Sequence, residues 1–590
     1  MTYPERIERL EALLGDPLDP TNPLGHQAVV AADERGELLA EGEAALASYG
    51  LGAEFVPVAL GGRFDRADHF ARLMRSVFRR DCALGIGHGV TSFIAGLPVW
   101  AAGNEAQRRK AADILLSGGR IVAAYTELAH GSDFSRTALT ARPDPGAAPG
   151  GTPGATPGGY VLDGGKQLIN NIGRAEAAVL FARTDDRPGS RGHSHLLVDL
   201  TQVPPERADR SARFATSGVR GCLLGGVRFD GCPVPADALL GAEGGAMETV
   251  LKVFQVTRSV LPSMVVGVGD SQLRTVLGFA RERVLYGGPV AELPLPRAEL
   301  TGVFADLLAC DALATTGARA LHLLPEETSV LSAAVKYLVP KVLQDASYRL
   351  GVLLGARGYL REGPYAAFQK AARDLPVVAL AHAGSAVCQA SIVPQLPRIA
   401  ERSWRPALSG DVRRPVPAGL FRPDEELPAL DYDRLALNGR GADTLAAALP
   451  ALAAQTEQEP ELAALARLFT AELAALADRC AALPPRDRTA VAGRRAFLLA
   501  DRYAHLLAAT ACLGIWRDAA PGSFTADPRW VTGALHRLAE RLALRPAPLS
   551  EPVTAFLYEE AVDRHDNART FDLFRGRLAQ RTVLSQGASR

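Results

Sequence analysis

The periodicity of the apolar residues changes twice along the chain, and this order limits the architectures that it can adopt. From Arg6 to about Gly119 the spacing is helical, with breaks at glycine and proline. Short β-type runs separated by turn-rich segments follow from Ile121 to Phe229, and helical spacing returns after Pro235. Because 590 residues exceed the size of one ordinary core, we expect several packed units in the order helical, β, helical.

This order predicts an α+β fold. It consists of an N-terminal helical domain at 1–119, a small antiparallel β domain at 120–238, a helical bundle at 239–402, a Pro/Arg-rich linker at 403–428 and a helical extension at 429–590. The bundle helices are expected at Met247–Val268, Gln272–Tyr286, Arg297–His322, Thr328–Leu354 and Gly363–Ala379. In the extension, a seam with helical spacings is formed by Leu462, Leu465, Phe469, Leu473 and Leu476.

Composition excludes several classes of function. Acidic and basic residues balance at 65 each, so no net field attracts a nucleic acid. The seven cysteines are scattered, which argues against a disulfide framework or a metal site and fits the cytoplasm. The N-terminus does not resemble a signal peptide, and the apolar stretch 496–516 contains Asp501 and Arg502, so we expect no transmembrane span. The helical stretch Leu462–Leu483 has little basic charge, so we do not expect membrane docking either.

A series of polar, glycine-containing motifs follows the two changes of periodicity. The first two are Tyr125-Thr126-Glu127-Leu128-Ala129-His130-Gly131-Ser132-Asp133 and Gly165-Lys166-Gln167-Leu168-Ile169-Asn170-Asn171. Downstream come Gly218-Val219-Arg220-Gly221, Thr257-Arg258, Arg283-Val284-Leu285-Tyr286, Leu354-Gly355-Ala356-Arg357-Gly358-Tyr359 and Arg373-Asp374. In this order they resemble the motifs of the acyl-CoA dehydrogenase flavoproteins, T-E-P-x-x-G-S-D and G-x-K-x-W-I-T-N among them. The resemblance covers about residues 50–395.

The resemblance implies an FAD cofactor, which needs donors around the flavin ring and a dry cavity. By this resemblance Thr126, Ser132 and Asn170 contact the flavin of their own subunit, beside Tyr125 and Leu168. The adenosine diphosphate half of a neighbouring subunit's FAD would meet Arg283, Tyr286 and the turn from Gly355 to Gly358, which implies a homodimer or homotetramer. The alternative is that Ser132 and Asn170 only close turns.

Oxidation beside a thioester carbonyl requires a base that takes the α-proton. The family's glutamate follows the Arg-Asp pair at a fixed distance; counting eight residues from Asp374 gives His382, and one gap gives Ala383. Other relatives carry the glutamate one residue before the arginine, where this chain has Thr257. His382 is therefore the candidate base, since imidazole titrates near neutral pH, and the alternative is a satisfied polar residue on a helix.

The implied substrate is an acyl group held as a thioester of coenzyme A or of an acyl carrier protein, with Gln255 and Arg258 lining the acyl or pantetheine side. The missing glutamate, and Leu168 in place of an aromatic residue, keep other functions open. These are a flavin-dependent monooxygenase, a non-redox enzyme that removes an α-proton, and a catalytically degenerate partner subunit. An extra helical unit like residues 429–590 occurs in long-chain members, where it covers a subunit-contact surface.

Overall fold

The computed structural model describes residues 2–131, 133–144, 158–187, 189–381 and 384–579. The first unit is helical, and its last helix ends at Leu116. Its helices are α1 (Tyr3–Leu14), α2 (His26–Arg35), α3 (Ala40–Tyr49), α4 (Ala67–Arg80), α5 (Cys82–Leu84), α6 (Thr91–Ala102) and α7 (Glu105–Leu116). A π-helical turn, Gly85–Val90, joins α5 to α6. Turns of this kind often occur beside functional sites.

The central unit is one eight-stranded sheet. Its strands are β1 (Ile121–Ala124), β2 (Thr140–Pro143), β3 (Tyr160–Asn170), β4 (Ala177–Arg183), β5 (His193–Asp199), β6 (Ala208–Asp209), β7 (Leu224–Val234) and β8 (Leu239–Leu240). The order is β6-β7-β3-β2-β4-β5-β8, and β1 pairs with β4. Most neighbours are antiparallel, whereas β4 pairs in parallel with β1 and β2. A buried apolar layer, which includes Leu162, Leu180 and Phe229, forms its own core.

The bundle is built on three long helices, α8 (Ala246–Glu282), α9 (Pro294–Leu323) and α10 (Thr328–Leu354). A two-stranded ribbon, β9 (Val284–Leu285) with β10 (Gly288–Pro289), follows α8. The sequence predicts two helices where α8 is continuous, and that prediction is wrong. Gly269, at the expected break, lies so close to α9 that an added Cβ would be 2.6 Å from Leu307. The glycine therefore permits close packing rather than ending the helix.

Shorter helices complete the bundle and lead into the linker. They are α11 (Ala366–Asp374), α12 (Val377–Leu380), α13 (Ser385–Ile392), α14 (Leu396–Ile399) and α15 (Arg405–Leu408). Because α15 continues to Leu408, the stretch without helix or strand runs from 409 to 443 and not from 403 to 428.

The extension contains α16 (Thr444–Ala447), α17 (Leu449–Ala454), α18 (Pro460–Ala481), α19 (Arg494–Arg517), α20 (Pro528–Arg541) and α21 (Glu551–Asp566). The seam predicted on α18 is buried throughout, which confirms that part of the sequence analysis. Helices α19, α20 and α21 pack against α9, so the extension shares a core with the bundle. After α21 the chain returns to the bundle, where the backbone N–H groups of Phe571 and Leu573 donate to Asp270 and Asp311.

Four helical stretches are long and apolar enough to cross a membrane by length and composition: Cys82–Ala102, Pro294–Leu323, Ala366–Leu408 and Arg494–Arg517. In three of these the apolar window is 78% to 100% buried against other parts of the protein, and in Ala366–Leu408 it is 25% buried. Most of this apolar surface therefore belongs to the protein core.

Candidate functional site

A cavity of about 590 Å³ lies where the N-terminal helices, the sheet and the bundle meet. A volume of this size suits a cofactor or a small-molecule ligand. The N-terminal unit contributes Ile86, Val90, Thr91 and Ile94. The sheet and its loops contribute Ala123, Tyr125, Thr126, Gly131, Phe134, Leu168, Ile169 and Asn170. The bundle contributes Phe254, Leu261, Lys336, Arg373, Pro376, Val377, Val378, Leu380 and Ala381. The remaining wall is the segment 216–219 with Cys222 and Leu224.

The structure brings four of the five residues predicted beside the flavin to one cavity. Tyr125 and Thr126 follow β1, while Leu168 and Asn170 close β3, and all four line the cavity. Ser132, the fifth, lies outside the described residues, as does the predicted base His382. Leu380 and Ala381, which directly precede His382 in the sequence, do line the cavity.

The first two motifs are joined by buried polar contacts. Lys166 donates to a Glu127 carboxylate oxygen at 2.8 Å and to the Tyr125 carbonyl at 3.2 Å. Glu127 also accepts the backbone N–H groups of Ala138 and Leu139. Burial lowers the pKa of Lys166 to about 8, against the opposing effect of Glu127. This ion pair joins the two motifs and fixes the loop that follows β1.

The end of β3 combines an irregular backbone with a buried hydrogen-bond acceptor that has no partner. Leu168 sits at a bulge between β3 and β7, has a left-handed φ of 58° and lacks a partner in the strand register. Asn170 donates through Nδ2 to Thr91 Oγ1 at 2.7 Å and to the Ile86 carbonyl at 3.3 Å. Its Oδ1 is buried without a hydrogen-bond partner. A buried acceptor in a cavity wall needs a donor, and an N–H group of a flavin ring is one, so these residues fit the implied cofactor.

The Arg-Asp motif anchors the opposite rim of the cavity. Asp374 accepts the Val219 N–H at 2.5 Å and Lys370 at 2.6 Å, while Arg373 donates to the Ser217 carbonyl and to Asp33. Gly218 is essential for this approach, because an added Cβ would lie 2.0 Å from the Arg373 carbonyl oxygen. The motif thus ties the segment 216–219 to α11 and α2.

The two residues predicted on the substrate side do not line the cavity. Gln255 is buried, and its amide binds the Thr328 hydroxyl and the Ala436 carbonyl, which is a bond between α8, α10 and the linker. Arg258 is 5% exposed and lies on the same face of α8 as Phe254 and Leu261, which do line the cavity. Its neighbour Thr257 is fully buried and bonds to the Phe254 carbonyl.

The segments predicted to meet a neighbouring FAD lie close together, away from this cavity. The guanidinium of Arg357, in the Gly355–Gly358 turn, is 5.4 Å from the ring centroid of Phe279, one helical turn before Arg283. The surface around them is exposed, with Tyr286 at 95% and Tyr359 at 91%. The structure therefore joins Arg283, Tyr286 and the turn into one surface.

Several cavity residues were not predicted from the sequence. The most informative is Lys336, which is 1% exposed and donates a hydrogen bond to the Val378 carbonyl. Burial, together with the charge of Arg258, lowers its pKa to about 8. One feature of the sequence could have indicated it, because Lys336 is the one charged residue in the largely apolar stretch from Val330 to Val339. The π-helical turn also escaped notice, because its contacts to Asn170 and Asn171 are long-range.

We compared the sequence and the structure with those of known proteins. Residues 244–394 match the family model of the acyl-CoA dehydrogenase C-terminal domain. Human mitochondrial short-chain specific acyl-CoA dehydrogenase is 26% identical over 318 residues, which are 53% of this chain and 73% of that protein.

Solved structures agree. An acyl-CoA dehydrogenase complexed with FAD from Bacillus anthracis aligns over 96% of this chain and 94% of its own, with 17% identity and a TM-score of 0.68. The prolyl acyl carrier protein oxidase AnaB covers 66% of this chain and 97% of its own, with 18% identity and a TM-score of 0.57. In fold, motif order and sequence the chain is similar to the acyl-CoA dehydrogenases, and its residues 244–394 match the C-terminal domain model of that family.

Proposed function

We propose that the chain is an FAD-dependent oxidoreductase that acts on an acyl group held as a thioester of coenzyme A or of an acyl carrier protein. The observation that carries this proposal is the shared cavity, which joins the flavin-type residues of the sheet to apolar residues of two helical units. The names of the relatives support both carriers, since one acts on acyl-CoA and another on an acyl carrier protein.

In this proposal the sheet side of the cavity holds the flavin. Asn170 Oδ1 accepts a hydrogen bond from the ring, and the loop of Tyr125 and Thr126, held by the Lys166–Glu127 ion pair, borders it. The flavin, when bound, supplies an acceptor for the hydride that leaves the acyl β-carbon. The apolar side chains of Ile86, Val90, Ile94, Phe254 and Leu261 enclose the acyl chain and exclude water.

The proton from the acyl α-carbon goes to His382 in this proposal. The chain lacks the family's glutamate at this position and has Thr257 at the alternative one. An imidazole can hold this proton near neutral pH. Leu380 and Ala381 line the cavity immediately before His382, which supports a base at this wall.

We also propose that a second copy of the chain covers the surface formed by Arg283, Tyr286 and the Gly355–Gly358 turn. Two exposed tyrosines and the exposed Val284 form an aromatic and apolar patch there. Such a patch is typical of a protein interface. The second copy would bring the adenosine half of its own FAD to this surface.

The test begins with the purified chain supplied with FAD. We expect it to retain a stoichiometric flavin and to lose the flavin colour when an acyl thioester is added without air. The change His382→Ala should keep flavin binding but slow flavin reduction by about 10²- to 10⁴-fold. His536→Ala, on the distant helix α20, is the matched control and should leave the rate unchanged.

Each alternative function gives a different result. Absence of bound FAD rejects the proposal at its root. Flavin reduction at an unchanged rate in His382→Ala places the base elsewhere. A flavin hydroperoxide after oxygen is mixed with the reduced protein identifies a monooxygenase, and proton exchange without flavin reduction identifies a non-redox enzyme. Flavin binding without any turnover identifies a degenerate partner subunit.

A further inference from the structure

Two buried cations at the bundle side of the cavity have no counter-ion among the described residues: Lys336 lines the cavity, and Arg258 lies on the face of α8 that carries the cavity residues Phe254 and Leu261. Lys336 on α10 is 1% exposed, and Arg258 on α8 is 5% exposed. The positive charge of Arg258 contributes to the lowered pKa of Lys336, so the two groups lie within electrostatic reach of each other. The thiol of Cys388 on α13 is the third titratable group beside them.

Lys336 forms no ion pair with a described residue, and in this it differs from every other lysine of the chain. Each of the remaining five forms an ion pair: Lys110 with Asp199, Lys166 with Glu127, Lys252 with Glu248, Lys341 with Asp501, and Lys370 with Asp81 and Asp374. In the part of the chain that the structure describes, Lys336 has only the Val378 carbonyl as a hydrogen-bond acceptor. No ion pair joins it to a described carboxylate, and the residues outside the described ranges include no aspartate or glutamate.

Arg258 shows the same absence of partners. Its Nε is buried without a hydrogen-bond partner, and its guanidinium lies 5.9 Å from the centroid of the Phe254 ring. Other buried arginines behave differently: Arg75 and Arg319 pair with aspartates, and Arg80 donates to two backbone carbonyls. Among the described residues, Arg258 forms neither an ion pair nor a hydrogen bond.

Burying two cations without a counter-ion has a cost in free energy. Burial of an isolated ammonium or guanidinium costs several kcal/mol even after the protein relaxes. Such a cost is retained where a ligand supplies the missing charge, and strongly perturbed groups concentrate at functional sites for this reason. Because Lys336 lines the cavity, an anion bound in the cavity can reach it.

We propose that Lys336, supported by the positive charge of Arg258, binds a carboxylate on the acyl chain of the substrate, so that the preferred substrate is the thioester of a dicarboxylic acid. This inference rests on the proposed function and adds the class of acyl group. The apolar residues Phe254 and Leu261 border the same wall, and they would contact the methylene groups between the thioester and the carboxylate.

The first experiment measures binding of a free dicarboxylate and needs no flavin. Glutarate is titrated into the full-length protein by calorimetry, and butyramide, which carries no charge, serves as the comparison. We expect wild type to bind glutarate about tenfold or more tightly than butyramide, since a charge-assisted hydrogen bond in a buried site has this effect. Lys336→Met should remove the difference, while Lys336→Arg should keep part of it.

The matched control is Lys341→Met, which changes a lysine of the same helix that pairs with Asp501 at the surface. It should bind glutarate as wild type does. Circular dichroism of Lys336→Met confirms that a loss of binding is not a loss of folding, and Arg258→Met gives an independent variant with the same expected loss of preference.

The second experiment compares flavin reduction by glutaryl and butyryl thioesters of pantetheine. We expect Lys336→Met to raise the KM for the glutaryl compound about tenfold to a hundredfold and to leave the butyryl compound unchanged. Equal binding of glutarate and the neutral butyramide by wild type overturns the proposal, and so does unchanged glutarate binding by Lys336→Met. Loss of turnover with both thioesters, with glutarate binding intact, also overturns it. Failure to bind FAD rejects the proposed function. The glutarate titration needs no flavin, so it still tests the carboxylate site in that case.

Discussion

Two buried clusters of positive charge in this protein differ in how they are compensated. The first, at the junction of α4, the bundle and the C-terminal segment, is centred on Arg75, which pairs with Asp311 and Asp572 and bonds to the Ser263 carbonyl and hydroxyl. The second consists of Lys336, which lines the cavity, and Arg258 beside it, and it lacks a carboxylate among the described residues.

The difference distinguishes a structural ion-pair network from a binding surface. We call the network of Arg75, Asp311 and Asp572 the joint, because it connects α4 and the bundle to the C-terminal segment after α21. At the joint the aspartates receive the charge, and Asp572 has its pKa lowered to about 2, against the effect of its burial, by Arg75 and other cations. Two further backbone N–H groups of the C-terminal segment donate to Asp270 and Asp311, so the segment is fixed in the core. At the cavity, according to our proposal, a bound ligand supplies the negative charge that compensates Lys336 and Arg258.

The largest effect is expected at the joint. Arg75→Met leaves Asp311 and Asp572 buried without their cation, which should lower the free energy of unfolding by about 3–5 kcal/mol. Urea denaturation of the full chain measures this change, and limited proteolysis after residue 566 reports release of the C-terminal segment. The exposed Arg109, paired with Glu105, is the control, and Arg109→Met should change the free energy by less than about 0.5 kcal/mol. Equal destabilisation by both variants would show that the buried network is not a joint.

A smaller effect is expected at Lys166, a buried cation that holds the cavity loop at Tyr125 and does have a counter-ion. Lys166→Met leaves Glu127 with its two backbone N–H donors, so we expect a loss of about 2–3 kcal/mol in the free energy of unfolding. The loop from Tyr125 to Gly131 should loosen, and the dissociation constant for FAD should rise about tenfold, as measured by flavin fluorescence. Gln167→Ala removes only the bond to the Leu128 N–H and should have a minor effect. An FAD affinity that does not change would show that the ion pair does not support the flavin site.

Sequence reasoning located the sheet side of the cavity because its residues come in short motifs at fixed spacing. Tyr125, Thr126, Leu168 and Asn170 were predicted and do line one cavity. The order of the helical and β units also followed from periodicity, which depends on near neighbours in the chain. Local patterns were misleading at Gly269, where the residue serves close packing and not a helix end.

The features that sequence reasoning missed depend on contacts between distant residues. The absence of a counter-ion at Lys336 is a property of three helices and the segment at Val378, and no spacing along one helix can show it. The return of the C-terminal segment to Asp270 and Asp311 joins residues about 260–300 positions apart. Gln255 belongs to a family-like segment, yet in this chain its amide holds the linker at Ala436.

The smallest expected effect has the opposite sign to that at the joint. Removing an uncompensated buried cation should stabilise the protein without ligand, so Lys336→Met should unfold at a higher temperature than wild type at pH 7. Among the described residues, the groups that face Lys336 are Arg258 from α8, Cys388 from α13 and the Val378 carbonyl from α12. None of these supplies a negative charge at pH 7, since burial raises the pKa of the Cys388 thiol.

The pH dependence of this gain follows from the pKa of Lys336, which is about 8 in the folded protein and 10.5 in an ordinary lysine. Between these values the unfolded chain binds more protons, so the stability of wild type rises with pH in that window. The advantage of Lys336→Met should therefore be on the order of 2 kcal/mol below pH 8 and shrink toward pH 10.5. Thermal unfolding of both proteins from pH 7 to pH 10 measures it. Because a ligand that binds only the folded state stabilises it, glutarate should close the gap at pH 7 by stabilising wild type alone. A gap that glutarate and pH leave unchanged would mean that Lys336 carries no uncompensated charge.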